Sequence, residues 1–184
     1  MLISEERRFC FVHVQKTGGS TVEVRLRDAV PDARRPRGLE RHARLEDVLA
    51  VRPDVTDLTV FGFVRNPWSR LLSWYRMVER FERRAARGRP GAQRQLSTNP
   101  FLAEVARDCE SFEDFVMTGP DRWERLRPPQ LDYLRAGERR ADHIGRQESL
   151  EEDLAEVLGR LGIEASSQES SNRDRQRPDY REAY

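Results

Sequence analysis

The chain has 184 residues, 37% of them hydrophobic and 35% charged, with 33 basic and 32 acidic side chains and a formal net charge of +1. That length suits one domain with an ordinary core, and the near-zero net charge speaks against a protein that coats nucleic acid while leaving room for local basic pockets. No apolar run approaches the roughly 18 residues of a membrane-spanning helix, so no membrane partner is expected.

The opening "MLISEERRFCF" mixes acidic and basic residues ahead of its apolar part, unlike a secretory leader. Residues 9–14, "FCFVHV", predict a buried strand. From Ser20 the spacing changes, because Val22, Leu26, Ala29 and Val30 share one helical face, with Ser20 or Thr21 as N-cap. Pro31 and "RRPRG" break that pattern, and "RHARLEDVLAV" is a short amphipathic helix stopped by Pro53. Residues 58–64, "LTVFGFV", predict a second strand. Pro67 then opens a long helix whose apolar positions are Leu71, Leu72, Tyr75, Val78 and Phe81. The stretch 87–100, "RGRPGAQRQLSTNP", is expected to be a mobile loop, its 87–98 part a cover for a substrate. Short helices near 100–107 and 111–118, a short strand, and a helix over 148–161 follow, with a polar, irregular tail over 164–184. Strands alternating with helices predict a single-domain α/β sandwich, residues 1–184, with a central parallel sheet flanked by helices.

Between the first strand and its helix lies "QKTGGST", residues 15–21. Gly18 and Gly19 permit positive φ and close backbone approach. The helix N-terminus that follows directs N–H groups and partial positive charge at the same place. Lys16, Ser20 and Thr21 add side-chain donors, so the loop is read as P-loop-like, an anion cradle at the carboxyl end of a strand. Lys16 is the only lysine among the 33 basic residues; its compact ammonium serves a tight turn that the planar arginine fork does not fit. It precedes the glycines, whereas a triphosphate loop places its lysine after them. A plain Gly-Gly turn is the bland alternative.

A second candidate segment is "FVRNPWSRLLSWY", residues 63–75, where Arg65 leaves the end of a strand and Ser73 follows eight residues later. A guanidinium grips a phosphate through two N–H groups, and the hydroxyl adds one more donor. A surface ion pair and an exposed helical serine are the competing readings.

Together these segments resemble sulfotransferases that use 3′-phosphoadenosine-5′-phosphosulfate (PAPS). "FVHVQKTGGST" is similar to their 5′-phosphosulfate loop and "FVRNPWSRLLSWY" to their 3′-phosphate segment, with wording nearest the heparan sulfate 6-O-sulfotransferases and related carbohydrate enzymes. "DHIGRQESLEEDLAEVLGRLGI" and the tail "SNRDRQRPDYREAY" also resemble the family's C-terminal portion. The resemblance implies that Lys16 contacts the bridging oxygen and the leaving phosphate. It implies that residues Thr17, Gly18, Gly19, Ser20 and Thr21 hold the 5′-phosphate, and that Arg65 and Ser73 hold the 3′-phosphate. The implied reaction transfers a sulfuryl group to a hydroxyl of a glycan, sugar or natural product, with 3′,5′-bisphosphoadenosine (PAP) as the nucleotide product and no metal required.

An alcohol acceptor calls for a general base near neutral pH. His13 and His143, in strands, are read as buried and hydrogen-bonded, while His42 lies beside a basic loop and is the candidate base. Glu40 and Glu46 are the acidic alternatives. Arginines at 34–37, 83–89 and 139–140 are read either as solvated faces or as the lining of a cleft for an acidic acceptor. Trp68, Trp74 and Trp123 are either core or sugar-stacking residues. Cys10 and Cys109, far apart, suggest a reducing, cytoplasmic setting. The rivals are a nucleotide kinase, against which stands the Arg-Asn at the end of 58–66 in place of an acidic magnesium ligand, and a degenerate nucleotide binder without turnover.

Overall fold

Four strands form the sheet that organises the first half of the chain: β1 (Leu2–Ser4), β2 (Phe9–Val12), β3 (Thr59–Val64) and, later in sequence, His143–Arg146. The computed structural model describes residues 1–164 and 180–184. It divides into one unit of Met1–Asn66 with Pro129–Arg175, and a second of Pro67–Pro128 with Gln176–Tyr184. The likeness of the tail "SNRDRQRPDYREAY" to the family's C-terminal portion, and the expected irregularity beyond Glu164, fall mostly on residues 165–179, outside the described residues.

In the first unit a small hairpin, β4 (Arg135–Ala136) and β5 (Arg139–Arg140), precedes the strand His143–Arg146, which is therefore β6. The sheet order is β1-β2-β3-β6, with β2, β3 and β6 parallel and β1 antiparallel to β2. The sheet is thus mixed rather than purely parallel. The three-residue β1 escapes a periodicity reading because it is set by the reversal Glu5–Arg8, whose Glu5 and Glu6 N–H groups are taken by Asp32. Arg8 completes that reversal at φ 52°.

Strand alternation sorts the core. Phe9, Phe11, Phe61 and Phe63 face α1 (Gly19–Ala29) and the helix Leu150–Arg160, packing with Val22, Leu26, Leu154 and Val157. Cys10, Val12 and Val60 face the opposite way, onto α2 (Leu45–Val51) and Leu134. Both faces of the middle strands are therefore buried, the reason β2 and β3 read as unbroken apolar runs. Burying each phenylalanine stabilises the fold by about 1.5–3 kcal/mol. At Gly62 a Cβ would lie 2.4 Å from Leu134 Cδ2 and 2.9 Å from the Val12 carbonyl, so the strand needs a residue without a side chain there.

The second unit is helical: α3 (Pro67–Ala86), α4 (Pro90–Thr98), α5 (Pro100–Asp108) and α6 (Phe112–Arg122). Trp74 and Val78 of α3 pack with Phe101, Leu102 and Val105 of α5 and with Phe115 of α6. Asn99 caps α5 by accepting from Leu102 N–H, and Ser111 caps α6 by accepting from Asp114 N–H. The expected 87–98 loop is instead α4, started by Pro90 and held by the buried Ala92. Its proline sits at the first helical position, where a missing N–H costs nothing, so a composition that looks loop-like is compatible with a helix. Trp74 and Trp123 belong to this core at 4% and 6% exposure, which removes them as sugar-stacking candidates; Trp68 is exposed and meets Tyr184 edge to face. The remaining helix of the first unit, Leu150–Arg160, is α7. No described helix is long and apolar enough to cross a membrane.

Candidate functional site

The site is built where parallel strands β2 and β3 end. After Val12 the chain stays buried through His13 and Val14, then turns. Lys16 adopts φ 69° and Gly18 φ 87°, and α1 begins at Gly19. The Thr17 hydroxyl donates to the Val14 carbonyl at 2.9 Å, which closes the turn. Thr17 is buried with its hydroxyl proton so committed, which leaves its backbone N–H to offer a ligand. Ser20 is exposed and Thr21 half-buried in the first turn of α1.

The two glycines have different reasons. Gly18 needs its positive φ. Gly19 begins a helix with no such requirement, yet a Cβ there would lie 2.1 Å from His13 Cδ2 and 2.3 Å from His13 Nε2. The His13 ring is the floor on which the loop lies.

Arg65 follows β3, and its peptide is gripped from both sides by Gln130: Arg65 N–H donates to Gln130 Oε1 at 2.8 Å, and Gln130 Nε2 donates to Arg65 O at 2.7 Å. The guanidinium Nη1 reaches the Lys16 carbonyl at 3.4 Å. Asn66 N–H donates to Glu148 Oε1, just beyond β6. The ends of three parallel strands thereby converge, bringing Arg65 to the Lys16–Gly19 turn. Ser73 lies in the second unit, half-buried on the second turn of α3.

His42 stands in the turn before α2, which starts at Leu45 rather than at the predicted Arg41. Its Nδ1 is 3.0 Å from the His13 carbonyl oxygen. A carbonyl only accepts, so Nδ1 carries the hydrogen and Nε2 keeps the lone pair a base requires. The His42 and His13 rings meet edge to face at 4.5 Å. Burial draws the His42 imidazole down to about 4, with the His13 ring and the Arg41 charge acting in the same direction. At neutral pH it is unprotonated.

His13 is 3% exposed, with Nδ1 3.1 Å from Glu23 Oε1. Burial also lowers its affinity for a proton, against the opposing pull of Glu23. Glu23 itself was absent from the sequence-level candidates. Its Oε1 also accepts from the Met1 amino group at 3.1 Å, while Oε2 accepts from Arg41 Nε and Nη2 at 2.9 and 2.6 Å. Burial works to raise this carboxyl, but hydrogen bonds from His13 and Arg41 and the nearby positive charges outweigh it and hold it well below the usual carboxylate range. The available signal was its place beside Val22 on the inward side of α1, where an acid must find a partner. Glu40 and Glu46, the acids named from sequence, are exposed. Of the arginine clusters, Arg139 is engaged by Asp142 at 2.7 Å. His143 is half-buried on β6, and its buried Nε2 has no hydrogen-bond partner among the described residues, unlike the satisfied nitrogen expected. Among the described residues no group of three or more His, Cys, Asp or Glu is arranged to hold a metal ion.

Compared with known proteins, residues 1–182 match the model of the family described as "Sulfotransferase family". No curated protein and no solved structure matches the chain.

Proposed function

The chain belongs to the sulfotransferase family, a transferase of sulfuryl groups, and on that premise we propose that its donor is PAPS and its acceptor a hydroxyl of a carbohydrate or small molecule. The family match runs across both units, and we take residues 1–184 as one sulfotransferase domain. The observation that carries the donor assignment is the juxtaposition of Arg65 and the Lys16 turn at the ends of β2 and β3, with Arg65 Nη1 3.4 Å from the Lys16 carbonyl. Such a pairing offers cationic and N–H donors to two anionic groups of one nucleotide. That is the donor's distinction from ATP.

In this reading the loop is P-loop-like. The N–H groups of Thr17, Gly18 and Gly19, with Ser20 and Thr21, bind the 5′-phosphate, and Arg65 with Ser73 binds the 3′-phosphate. Lys16 stabilises charge that builds on the leaving phosphate oxygen. Transfer is an in-line displacement: the acceptor oxygen forms a bond to sulfur as the bond from sulfur to the bridging oxygen breaks, and PAP departs. His42 Nε2 takes the proton from the acceptor hydroxyl. Its position 3.0 Å from the His13 carbonyl supports that role by setting the tautomer. The leaving group is a good one, so the scheme requires no metal. The loop's likeness to heparan sulfate 6-O-sulfotransferases makes carbohydrate hydroxyls the first acceptors to screen. The free thiols Cys10 and Cys109 support a cytoplasmic setting.

Calorimetric titration with PAP, and with ATP and GTP in the presence of Mg²⁺, tests the reading. Binding of the bisphosphate alone, weakened by Lys16→Ala, is expected. Preference for a triphosphate would instead indicate a kinase, and no binding a degenerate partner-binding protein.

A further inference from the structure

We propose that Glu23 is the positioning residue of this site, aligning the donor loop with the segment that carries His42. The proposal rests on the donor reading above. Glu23 lies three residues after Ser20, one turn further along the same side of α1. Its two oxygens face in two directions. One meets His13 Nδ1 at 3.1 Å, and the His13 carbonyl in turn accepts from His42 Nδ1 at 3.0 Å. The other accepts from Arg41 Nε and Nη2 at 2.9 and 2.6 Å, and Arg41 Nη2 also donates to Ser20 Oγ at 3.0 Å.

The chemistry of that last bond determines what Ser20 does. Arginine has only donors, so Ser20 Oγ is the acceptor and its own hydrogen is directed elsewhere. At an exposed position in the first helical turn, that hydrogen is available to a phosphate oxygen. Without Glu23 to hold the guanidinium, Arg41 is an exposed side chain on a turn, and Ser20 regains its rotational freedom. On the other arm, the Glu23 carboxylate stands 3.1 Å from Nδ1 of the His13 ring, which lies beneath Gly19 where a Cβ would sit 2.1 Å from it. The same histidine's backbone fixes the His42 tautomer. One carboxylate therefore sets the height of the loop, the direction of a loop hydroxyl and, through one residue, the placement of the base. Glu23 contacts no reacting atom in this scheme.

Glu23→Gln is nearly isosteric but has one acceptor oxygen where two are used, and its amide hydrogens face a donor on the other arm. The test measures PAP affinity by calorimetry for the wild-type protein, Glu23→Gln, Arg41→Gln and the double variant. Ring-nitrogen NMR of the histidines accompanies each titration. Loss of a charged hydrogen bond predicts roughly tenfold weaker PAP binding in Glu23→Gln, a smaller loss in Arg41→Gln, and a double variant no weaker than Glu23→Gln because both act along one chain of bonds. His13 is expected to pass from a single Nδ1–H tautomer to a mixture in Glu23→Gln. Should Glu23→Gln fail to fold, Arg41→Gln decides the matter, since that side chain is 43% exposed and its loss leaves the core intact. Wild-type PAP affinity in Arg41→Gln, or fully additive losses in the double variant, would overturn the proposal. A wild-type protein that binds no PAP would overturn the donor reading instead.

Discussion

Gly19→Ala isolates the contact between loop and floor. A Cβ at Gly19 lies 2.1 Å from His13 Cδ2 and 2.3 Å from Nε2, well inside van der Waals distance. Relief by ring movement is blocked on several sides: His13 is 3% exposed, stacks on Phe11 at 5.8 Å, meets His42 at 4.5 Å and is held by Glu23 at 3.1 Å. Overpacking of this kind costs about 1–3 kcal/mol, against which alanine recovers up to about 1 kcal/mol of helix propensity. At roughly 2–4 °C per kcal/mol for a chain of this size, the net cost of up to about 3 kcal/mol should lower the melting temperature by up to about 12 °C. The loop is displaced with the ring, so PAP affinity should fall as well, by roughly tenfold or more. Thermal unfolding and calorimetry read both quantities. His13→Ser combined with Gly19→Ala should recover part of the lost stability, because the smaller side chain vacates the clash. A Gly19→Ala protein with unchanged melting temperature and unchanged PAP affinity would refute the reasoning, since the ring would then move at no cost.

Arg65→Ala should weaken PAP by about tenfold to a hundredfold while leaving adenosine 5′-phosphosulfate, which lacks the 3′-phosphate, nearly unaffected; equal losses in competition titrations would undo the 3′-phosphate assignment. His42→Ala should abolish transfer in an acceptor screen while PAP affinity stays within about twofold, and near-normal turnover would reject His42 as base. Stability should also depend on pH through the two histidines. Their proton affinities are lowered in the folded state, His42 from 6.5 to about 4, so folding favours the neutral rings. Stability is then complete above pH about 6.5 and is lost as pH falls toward about 4. For His42 the upper bound is about 3 kcal/mol, which solvent screening at a partly exposed ring reduces to about 1–2 kcal/mol. Denaturant melts at pH 7.5, 5.5 and 4.5 check this, and an equal slope in His42→Gln would remove His42 as the source.

The sequence by itself determined the elements whose apolar residues repeat with a clear period. β2 and β3 are buried on both faces and read as continuous apolar runs, and α1, α3 and α7 carry one-sided stripes. It also presented the strand-turn-helix of "VHVQKTGGST", because a Gly-Gly turn between a continuous apolar run and a 3.6-residue period is a local signal. Tertiary structure alone decided the rest. The three-residue β1 exists through its pairing with β2, and α4 was hidden behind loop-like Pro and Gly. Trp74 was assigned to the core by neighbours on other helices. Gly19 looked like a glycine required by a ligand, yet the atoms it avoids belong to His13, six residues earlier and just past the end of β2. Glu23 looked like one more acid in a charged helix until the fold set it against His13, Arg41 and the Met1 amino group. Periodicity reports which side of an element is buried, whereas a partner for a buried charge comes from residues distant in sequence. Only the closed chain brings those together.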